Sequence, residues 1–505
     1  MKKINRVLVS AYNKSSLLPL IKILNDFNVE IISTGGTKQA LEKDGITVNS
    51  VESITKYPSI LGGRVKTLHP KIFGGILRRD DNEKDMLDLD NFDIPQIDMV
   101  IVDLYPFEET VKLNKPIEEV IEKIDIGGVA LIRASAKNYK DIFIVPSVNE
   151  FNLAKEIILR NNCSTTLSDR LLLASKAFNI TSHYEVKIAE YFDQDNQLNW
   201  QFKYSNTDYN QLRYGENPHQ KGVYYGDLKE LFSQLNGKAL SYNNLLDIDS
   251  AVNLMNEFKQ QSFGILKHNN ACGFASDSKL SNAYKKALAG DPISAFGGVL
   301  ITNGTIDIDC AQYINTLFCE ILIAPEFSQD ALKLLKSKKN RIILKKKNVK
   351  LDKLSFRTVL NGVLCQEKDL LTDKDNCETI SNIHPSKKQM SDLLFASKIC
   401  KHTKSNTIVL VKNNQLLASG CGQTSRVDAL NQAIQKAKHF GFKLDGSVMA
   451  SDAFFPFPDC VELAGKAGIK AIIQPGGSKN DQLSIDYCNN HKLAMIFTGI
   501  RHFKH

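Results

Sequence analysis

Short apolar runs alternate with amphipathic segments through the first 145 residues of the chain. The runs are apolar throughout rather than alternating with polar residues: "RVLVS" at 6–10, "VEIIS" at 29–33, "DMVIVDLY" at 98–105 and "DIFIVPS" at 141–147. Strands of this kind are typical of a parallel sheet that helices cover on both faces. Because ligands of such sheets bind beyond the carboxyl ends of the strands, we expect a functional site at that edge.

A second α/β region follows a break in the pattern. A long amphipathic helix is predicted at 166–192, and the polar segment after it carries the only tryptophan and no clear period. We therefore predict a domain at 1–195, a linker at 196–210 and a second domain at 211–505. The remainder is long enough for two similar α/β halves. Strands are predicted there at 262–268, 298–304, 320–325, 341–345, 407–411, 416–420, 469–477 and 493–499, with helices at 280–289, 328–337, 386–403 and 425–440.

Composition narrows the class of protein. The 505 residues are 43% hydrophobic and 24% charged, the balance of a soluble globular protein, and neither a signal peptide nor an 18-residue apolar run is present. We expect a cytoplasmic protein with no membrane association. The ten cysteines form no C-x-x-C pair, which argues against disulfides and zinc. The net charge of +8 is diffuse, and the basic run at 333–350 is read as a solvated face, so no nucleic-acid partner is expected.

Three segments of the first domain have the residue types of an anion site. "STGGT" at 33–37 sets hydroxyls around two glycines at a helix start, where it could bind an anion or simply cap the helix. In "GGRVKTLHP" at 62–70, Arg64 and Lys66 lie on one side of an extended chain, and this arrangement suits a phosphate. "IDIGGVALIRASAKN" at 124–138 places Asp125 before a helix whose Arg133 and Lys137 share one face, although a solvated face would look the same.

These segments carry a resemblance to a known family. "GGRVKTLHPKIFGGIL", "DLYPFEET" and "IDIGGVALIRASAKN" resemble the inosine monophosphate (IMP) cyclohydrolase domain of bifunctional purine biosynthesis enzymes. That family couples the cyclohydrolase to 5-aminoimidazole-4-carboxamide ribonucleotide (AICAR) formyltransferase, and the resemblance runs from Val7 to His505. It implies a methylglyoxal synthase-like first domain that closes the purine ring of formyl-AICAR with loss of water.

The family also implies roles for particular residues of the first domain. The 5'-phosphate and ribose would be held by Ser10, Lys14, Ser33, Gly36, Thr37, Arg64 and Thr67. The stabilising and proton-transfer groups at the reacting end would be Lys66, Tyr105, Asp125 and Lys137. Two residues depart from the family pattern: Tyr12 stands where serine is usual, and Asp103 replaces the usual asparagine and brings a possible negative charge near an anionic ligand.

The second domain contains the stretch "GILKHNNACGFA" at 264–275, in which Lys267 and His268 adjoin at the end of an apolar run. A histidine in this position is more often structural than catalytic. Neighbouring strand residues point to opposite faces, so the pair can share a site only where the strand ends. The amides Asn269 and Asn270, with Gly273, favour such an ending.

The resemblance assigns this stretch a function. The family's formyltransferase domains are similar in fold to cytidine deaminase and carry K-H-x-N-P-C-G, whose lysine and histidine are the catalytic pair. His268 would take a proton from the 5-amino group of AICAR, and Lys267 would stabilise the oxyanion formed from 10-formyltetrahydrofolate. Ala271 replaces the family's proline, and Pro458 stands where arginine is common. The residues implied in substrate binding are Arg213, Tyr214, Asn270, Phe296, Glu320, Asn406, Phe454, Pro456 and Arg501.

The implied ligands are small molecules: AICAR, formyl-AICAR, IMP and the folate cosubstrate. The family works as a homodimer with formyltransferase sites shared between subunits, so the resemblance implies a homodimer here too. A zinc nucleoside deaminase is the rival enzyme, but the P-C-x-x-C ligand pair that it needs is absent from the sequence. A nucleotide-binding regulator without catalysis would tolerate the loss of Lys66, Lys137 and His268, and all three are present.

Overall fold

The computed structural model describes residues 1–193, 202–373 and 377–505. The chain forms two compact units, Met1–Thr207 and Asp208–His505. Part of the predicted linker, residues 196–201, lies outside the described residues. Among the described residues, no helix combines the length and apolar character that a membrane crossing requires. The ten cysteines are free.

The first unit contains the predicted parallel sheet. Its five strands are all parallel and lie in the spatial order Asn49–Ser50, Glu30–Ser33, Arg6–Ala11, Met99–Asp103 and Phe143–Val145. Val7, Leu8 and Val9 of the central strand are fully buried, as expected for a strand covered on both faces. The covering helices are Lys14–Asp26, Gly35–Lys43, Val51–Thr55, Pro70–Leu77, Glu83–Asn91, Phe107–Lys112, Ile117–Ile121, Ile126–Lys137, Phe151–Arg160 and Leu167–Phe192.

The second unit is built on one mixed sheet of twelve strands. Their spatial order is Phe232–Asn236, Ile342–Lys346, Ile321–Ala324, Val299–Thr302, Ser262–Lys267, Asn270–Ser276, Gln415–Gly420, Ile408–Lys412, Val448–Ser451, Ala471–Gln474, Ala494–Phe497 and Glu378–Thr379. The helices are Leu228–Leu231, Tyr242–Asn256, Leu280–Gly290, Ile308–Thr316, Gln329–Leu335, Lys387–Lys401, Arg426–His439, Asp459–Lys466 and Asp481–Asn490.

The two halves of this sheet repeat one design, as the sequence predicted. Each half has an antiparallel hairpin at the centre, then three parallel strands, then an antiparallel edge strand. The hairpin of Ser262–Lys267 and Asn270–Ser276 corresponds to that of Ile408–Lys412 and Gln415–Gly420. The halves join where these hairpins meet, with Ala275 opposite Gln415.

Two elements of the second unit differ from the sequence interpretation. The helix Tyr242–Asn256, which begins with a capping box between Ser241 and Asn244, was not among the predicted helices. The strand Asn270–Ser276 was also not predicted, because its small residues lack a strong β signal. A further hairpin, Leu354–Val359 with Gly362–Glu367, forms a separate two-stranded sheet.

Candidate active sites

The carboxyl edge of the first sheet gathers the residues predicted to bind a phosphate. Ser10 and Ser33 lie at the ends of neighbouring parallel strands, and the Ser33 hydroxyl donates to the Val9 carbonyl (2.9 Å). The Thr37 hydroxyl donates to the Ala11 carbonyl (3.1 Å), which ties the "STGGT" turn to the central strand. A Cβ placed on Gly36 would lie 3.4 Å from the Lys14 ammonium, so a cation borders the first turn of this helix. Helix N-H groups and a cation at one point suit a phosphate.

The "GGRVKTLHP" segment meets a second helix N-terminus. The Thr67 hydroxyl would lie 3.1 Å from a Cβ placed on Gly127, within the first turn of the helix Ile126–Lys137. Lys66 lies close enough to Asp125 for their charges to interact. Arg64 forms an exposed ion pair with Glu122 instead. The segment therefore contributes Lys66 and Thr67 to the cluster, while the guanidinium of Arg64 is engaged at its rim.

Asp125 is held in place by hydrogen bonds on both sides. Its carboxylate accepts from the Gly128 N-H (2.7 Å) and caps the helix Ile126–Lys137. Its own N-H donates to the Tyr184 hydroxyl (2.8 Å), which donates in turn to the Lys123 carbonyl (2.7 Å). Burial raises the pKa of Asp125, although the Gly128 hydrogen bond and the charge of Lys66 oppose the shift. A carboxylate with a raised pKa is a better proton acceptor.

Tyr105 lies beside this carboxylate. Burial, followed by the charge of Asp125, raises the pKa of Tyr105, so its hydroxyl keeps its proton and can donate it to a ligand. The ring of Tyr12 packs edge-on against Tyr105, with the centroids 5.8 Å apart, and the Lys123 ammonium lies within 5.7 Å of both centroids. The unusual Tyr12 therefore packs beside Tyr105. Lys123 and Tyr184 were missed from the sequence because only tertiary packing brings them here.

Lys137 lies at the far end of the helix that Asp125 caps. Asp125 caps the start of the helix Ile126–Lys137 and Lys137 ends it. Twelve residues at about 1.5 Å rise separate the two Cα atoms by about 18 Å. Arg133, on the same helix, lies over the ring of Phe178 instead. Within one chain, Asp125 and Lys137 therefore lie at opposite ends of this helix.

Asp103 has a structural role. Its carboxylate accepts from the Asn13 N-H (2.8 Å), and its carbonyl accepts from the Tyr12 N-H (3.2 Å). Burial raises the pKa of Asp103, and these backbone contacts fix the loop that leads to Lys14. The carboxylate thus holds the loop before the helix Lys14–Asp26.

In the second unit, the predicted strand ending is confirmed. Residues Ser262–Lys267 form a strand, and His268 and Asn269 then make a two-residue turn with φ of 51° and 66°. Positive φ at both positions is the geometry of a tight type I′ hairpin. The Lys267 ammonium donates to the Phe296 carbonyl (2.9 Å), and the Asn270 amide donates to the His268 carbonyl (2.8 Å). Lys267 therefore ends the strand, and His268 is the first residue of the exposed turn that follows it.

A carboxylate that the sequence did not single out supports the turn. Asp247 accepts from the Asn269 N-H (2.7 Å), and its charge interacts with those of His268 and Glu320. Burial raises the pKa of Asp247. Glu320 also pairs with Lys238 (2.7 Å). The helical period of Tyr242–Asn256 places Asp247 six residues after the cap Ser241, but its contact with the turn depends on tertiary packing that the period does not show.

Loops from the other half of the sheet reach the same turn. The Lys404 N-H donates to the Asn270 side chain (3.0 Å), and the side chain of Asn406, two residues on, donates to the Gln423 carbonyl (3.1 Å). The backbones of Ser405 and Lys504 pair at 2.9 Å, so the C-terminal segment borders this loop. Asn270 and Asn406 are thus brought to one region.

The remaining predicted residues surround this region less directly. The Pro456 carbonyl accepts from Asn480 (2.7 Å), and Phe454 precedes it in an exposed loop. Arg501 stacks on Phe503, with 4.4 Å between the guanidinium carbon and the ring centroid, and Phe296 packs on Phe318. Arg213 stacks on Tyr214. The pair is linked to the helix of Asp247 through the hydrogen bond from Asn243 to the Glu216 carbonyl (3.1 Å).

Metal-ligating side chains are not clustered in the part of the chain that the structure describes: no group of three or more His, Cys, Asp or Glu there is placed to hold a metal ion. Cys272, next to the turn, is partly buried, and burial raises its pKa to about 12. It is therefore a thiol rather than a thiolate at neutral pH.

Comparison with known proteins gives two family models and full-length relatives. An MGS-like domain matches residues 16–130, and the AICARFT/IMPCHase bienzyme family matches residues 135–436. The bifunctional purine biosynthesis protein PurH of Bacteroides thetaiotaomicron is 55% identical over 100% of this chain and 99% of its own length. PurH of Caldicellulosiruptor bescii is 44% identical over 99% of each chain.

Solved structures give partial matches. The crystal structure of ForH is 28% identical, covers 37% of this chain and 96% of its own, and has a TM-score of 0.33. A dCMP deaminase from cyanophage S-TIM5 is 17% identical over 21% of this chain and 94% of its own, with a TM-score of 0.17. The family assignment rests on the full-length relatives and the family models. The chain belongs to the AICARFT/IMPCHase bienzyme family, the enzymes of purine biosynthesis that combine AICAR formyltransferase with IMP cyclohydrolase.

Proposed function

We propose that ring closure takes place at the carboxyl edge of the first sheet, in a domain at 1–195, and formyl transfer at the His268 turn, in a domain at 211–505. The observation that carries this proposal is the presence of two separate clusters, each with a proton acceptor and a lysine. In the first cluster the proton acceptor is Asp125 and the nearby lysine is Lys66. In the second the proton acceptor is His268 and the adjacent lysine is Lys267.

In the ring closure, the carboxamide nitrogen of formyl-AICAR attacks the formyl carbon, and water leaves. Asp125 takes the proton that the carboxamide nitrogen loses and returns it to the oxygen, while Lys66 stabilises the oxyanion. The oxygen then leaves as water with this proton and the one lost from the former 5-amino nitrogen, and Tyr105 donates a hydrogen bond to it. Ser10, Lys14, Ser33, Gly36, Thr37, Arg64 and Thr67 hold the phosphate and ribose. Lys137, whose Cα atom lies about 18 Å from that of Asp125 along the helix, remains a further stabilising cation of the proposed site.

In the formyl transfer, the cosubstrate is a folate, and we propose 10-formyltetrahydrofolate. The 5-amino nitrogen of AICAR attacks the formyl carbon, His268 takes the amino proton, and Lys267 stabilises the tetrahedral oxyanion before tetrahydrofolate leaves. No zinc is used in this proposal. The substrates are held by Arg213, Tyr214, Asn270, Phe296, Glu320, Asn406, Phe454, Pro456 and Arg501.

The experiment supplies AICAR and 10-formyltetrahydrofolate and follows tetrahydrofolate and IMP separately. His268→Ala should abolish tetrahydrofolate release and leave closure of added formyl-AICAR intact. Because His268 has φ of 51°, alanine there adds backbone strain. Asn413→Ala is the matched control, since Asn413 is the corresponding turn residue of the other half with φ of 57°. Loss of both activities in a folded His268→Ala protein, or equal loss of formyl transfer in the control, would contradict the two-site assignment.

We propose in addition that the protein works in the cytoplasm as a homodimer. The separate hairpin Leu354–Val359 with Gly362–Glu367 supports the homodimer, because an isolated two-stranded hairpin is marginally stable in water. It also exposes apolar side chains, among them Leu364 (60%) and Leu360 (100%) at the tip. A second copy would cover them. Sedimentation should give a dimer for the wild type and a monomer for Leu364→Lys; a monomeric wild type would refute the proposal.

A further inference from the structure

The last eight residues contain no helix or strand, yet they include Arg501 of the proposed formyl-transfer site. His502 follows it and is only 5% exposed. Its imidazole lies between two carboxylates: Nδ1 is 2.5 Å from Asp369 Oδ2, and Nε2 is 3.1 Å from Asp373 Oδ1. Two carboxylate acceptors, one on each ring nitrogen, are satisfied together only by a doubly protonated imidazolium.

We propose that His502, clamped between Asp369 and Asp373, is a positioning residue for formyl transfer that fixes Arg501 and the loop of Asn406. This inference rests on the proposed assignment of those two residues to the formyl-transfer site. The clamp would act through the backbone, because fixing His502 also fixes the Cα position of the adjacent Arg501.

Backbone contacts connect the clamp to the site on two sides. The His502 N-H donates to the carbonyl of Asp452, which lies two residues before Phe454 (3.0 Å). Two residues after the clamp, the Lys504 N-H donates to the Ser405 hydroxyl at 3.0 Å, next to Asn406. The clamp therefore anchors a segment that touches two of the loops proposed to bind substrate.

The charged groups around the clamp require a cation at its centre. A cavity of about 60 Å³ is lined by His502, Asp373, Glu257, Lys398 and Lys401. Lys401 pairs with Glu257 (2.8 Å) and lies 3.9 Å from Asp369, and Lys398 donates to the Glu257 carbonyl (2.8 Å). His402 lies 3.1 Å from Glu257, but burial lowers the pKa of His402 and keeps it neutral. Three carboxylates thus face two lysines, and His502 supplies the third positive charge.

The pH range of the clamp follows from its hydrogen bonds. Burial alone lowers the pKa of His502, but the hydrogen bonds and charges of Asp369 and Asp373 outweigh it and raise the pKa to about 9. Because folding raises the pKa of His502, its protonation stabilises the folded state. This stabilisation is complete below the unfolded pKa of about 6.5 and is lost as the pH rises through about 9. Positioning should therefore persist at neutral pH and fail above about pH 9.

The test measures the KM for 10-formyltetrahydrofolate and the kcat in steady-state formyl transfer, with cyclisation of added formyl-AICAR as the internal standard. His502→Gln should raise this KM about tenfold or more, because a misplacement of about 1 Å can cost about a hundredfold in rate. Asp369→Asn, at a half-exposed carboxylate, should act in the same direction without unfolding the unit. His183→Gln is the matched control, since His183 also pairs with a carboxylate (Glu108, 2.9 Å) but lies in the first unit.

A second readout separates positioning from stability. The wild-type KM should rise above about pH 9. In His502→Arg, whose guanidinium stays charged and can serve both carboxylates, KM at neutral pH should be restored and this rise should be absent. An unchanged KM in both His502→Gln and Asp369→Asn, or a fall in kcat that only tracks the unfolded fraction, would overturn the clamp. Arg501→Ala is measured in parallel. If Arg501→Ala leaves the KM unchanged, Arg501 does not belong to the formyl-transfer site and the site assignment is refuted. If Arg501→Ala raises the KM but His502→Gln does not, only the clamp is refuted.

Discussion

Replacing Tyr184 by phenylalanine should impair ring closure and spare formyl transfer. The Tyr184 hydroxyl accepts from the Asp125 N-H at 2.8 Å and donates to the Lys123 carbonyl at 2.7 Å. Burial raises the pKa of Tyr184 to about 12, so the hydroxyl is protonated at neutral pH. Its removal leaves one partly buried donor, the Asp125 N-H, and one partly buried acceptor, the Lys123 carbonyl, unpaired. At about 1 kcal/mol for each, the first unit should lose about 2 kcal/mol of unfolding free energy.

The catalytic effect is expected to be larger than the structural one. Asp125 would lose the contact that fixes its backbone, and kcat for closure of added formyl-AICAR should fall about tenfold or more. Tetrahydrofolate release should match the wild type. Tyr284→Phe is the control. The Tyr284 hydroxyl, in the second unit, donates to the Tyr313 carbonyl at 3.5 Å, and so long a hydrogen bond contributes little to stability. Wild-type cyclisation by Tyr184→Phe, with an unchanged unfolding midpoint, would refute the reasoning.

Two further substitutions test the same cluster. In Gly128→Ala the new methyl carbon would lie 2.4 Å from the Asp125 carboxylate and displace it, so the kcat for cyclisation should fall about a hundredfold. Gly127→Ala is the control: its nearest atom is 3.1 Å away, so its kcat should fall less. Burial raises the pKa of Asp103, so the folded state disfavours its charge and wild-type stability falls as pH rises through that pKa. Asp103→Asn should therefore match the wild type in thermal unfolding below about pH 3, where the carboxyl is protonated in both states, and exceed it at neutral pH. Equal melting temperatures at both pH values would contradict this.

The sequence sufficed for features that depend on local pattern. The apolar runs predicted the parallel sheet of the first unit, and the amides after Lys267 predicted where that strand ends. The helix Tyr242–Asn256 was not predicted, although its capping box and apolar spacing are visible in the sequence, because the amides Asn243 and Asn244 at its start are also typical of loops.

Features that depend on contacts between distant segments were not accessible. Asp247 and the His268 turn are 21 residues apart in sequence, and His502 meets Asp369 across 133 residues. No periodicity encodes such contacts. The separation of Asp125 from Lys137 is different, since the predicted helix already implied about 18 Å between them. Membership of one sequence motif therefore did not imply that Asp125 and Lys137 lie close together, whereas the geometry of the helix between them gave their separation.

The repeat within the twelve-stranded sheet has an evolutionary consequence. At the second hairpin, Asp392 accepts from the N-H groups of Asn413 and Asn414 (2.9 and 2.6 Å), as Asp247 does from Asn269. Both halves thus retain the carboxylate that supports the turn, but only one retains a histidine in it. Such internal symmetry is what duplication of one half followed by divergence would produce. A single half would leave one edge of its hairpin unpaired, so each half covers the exposed hydrogen-bonding edge of the other.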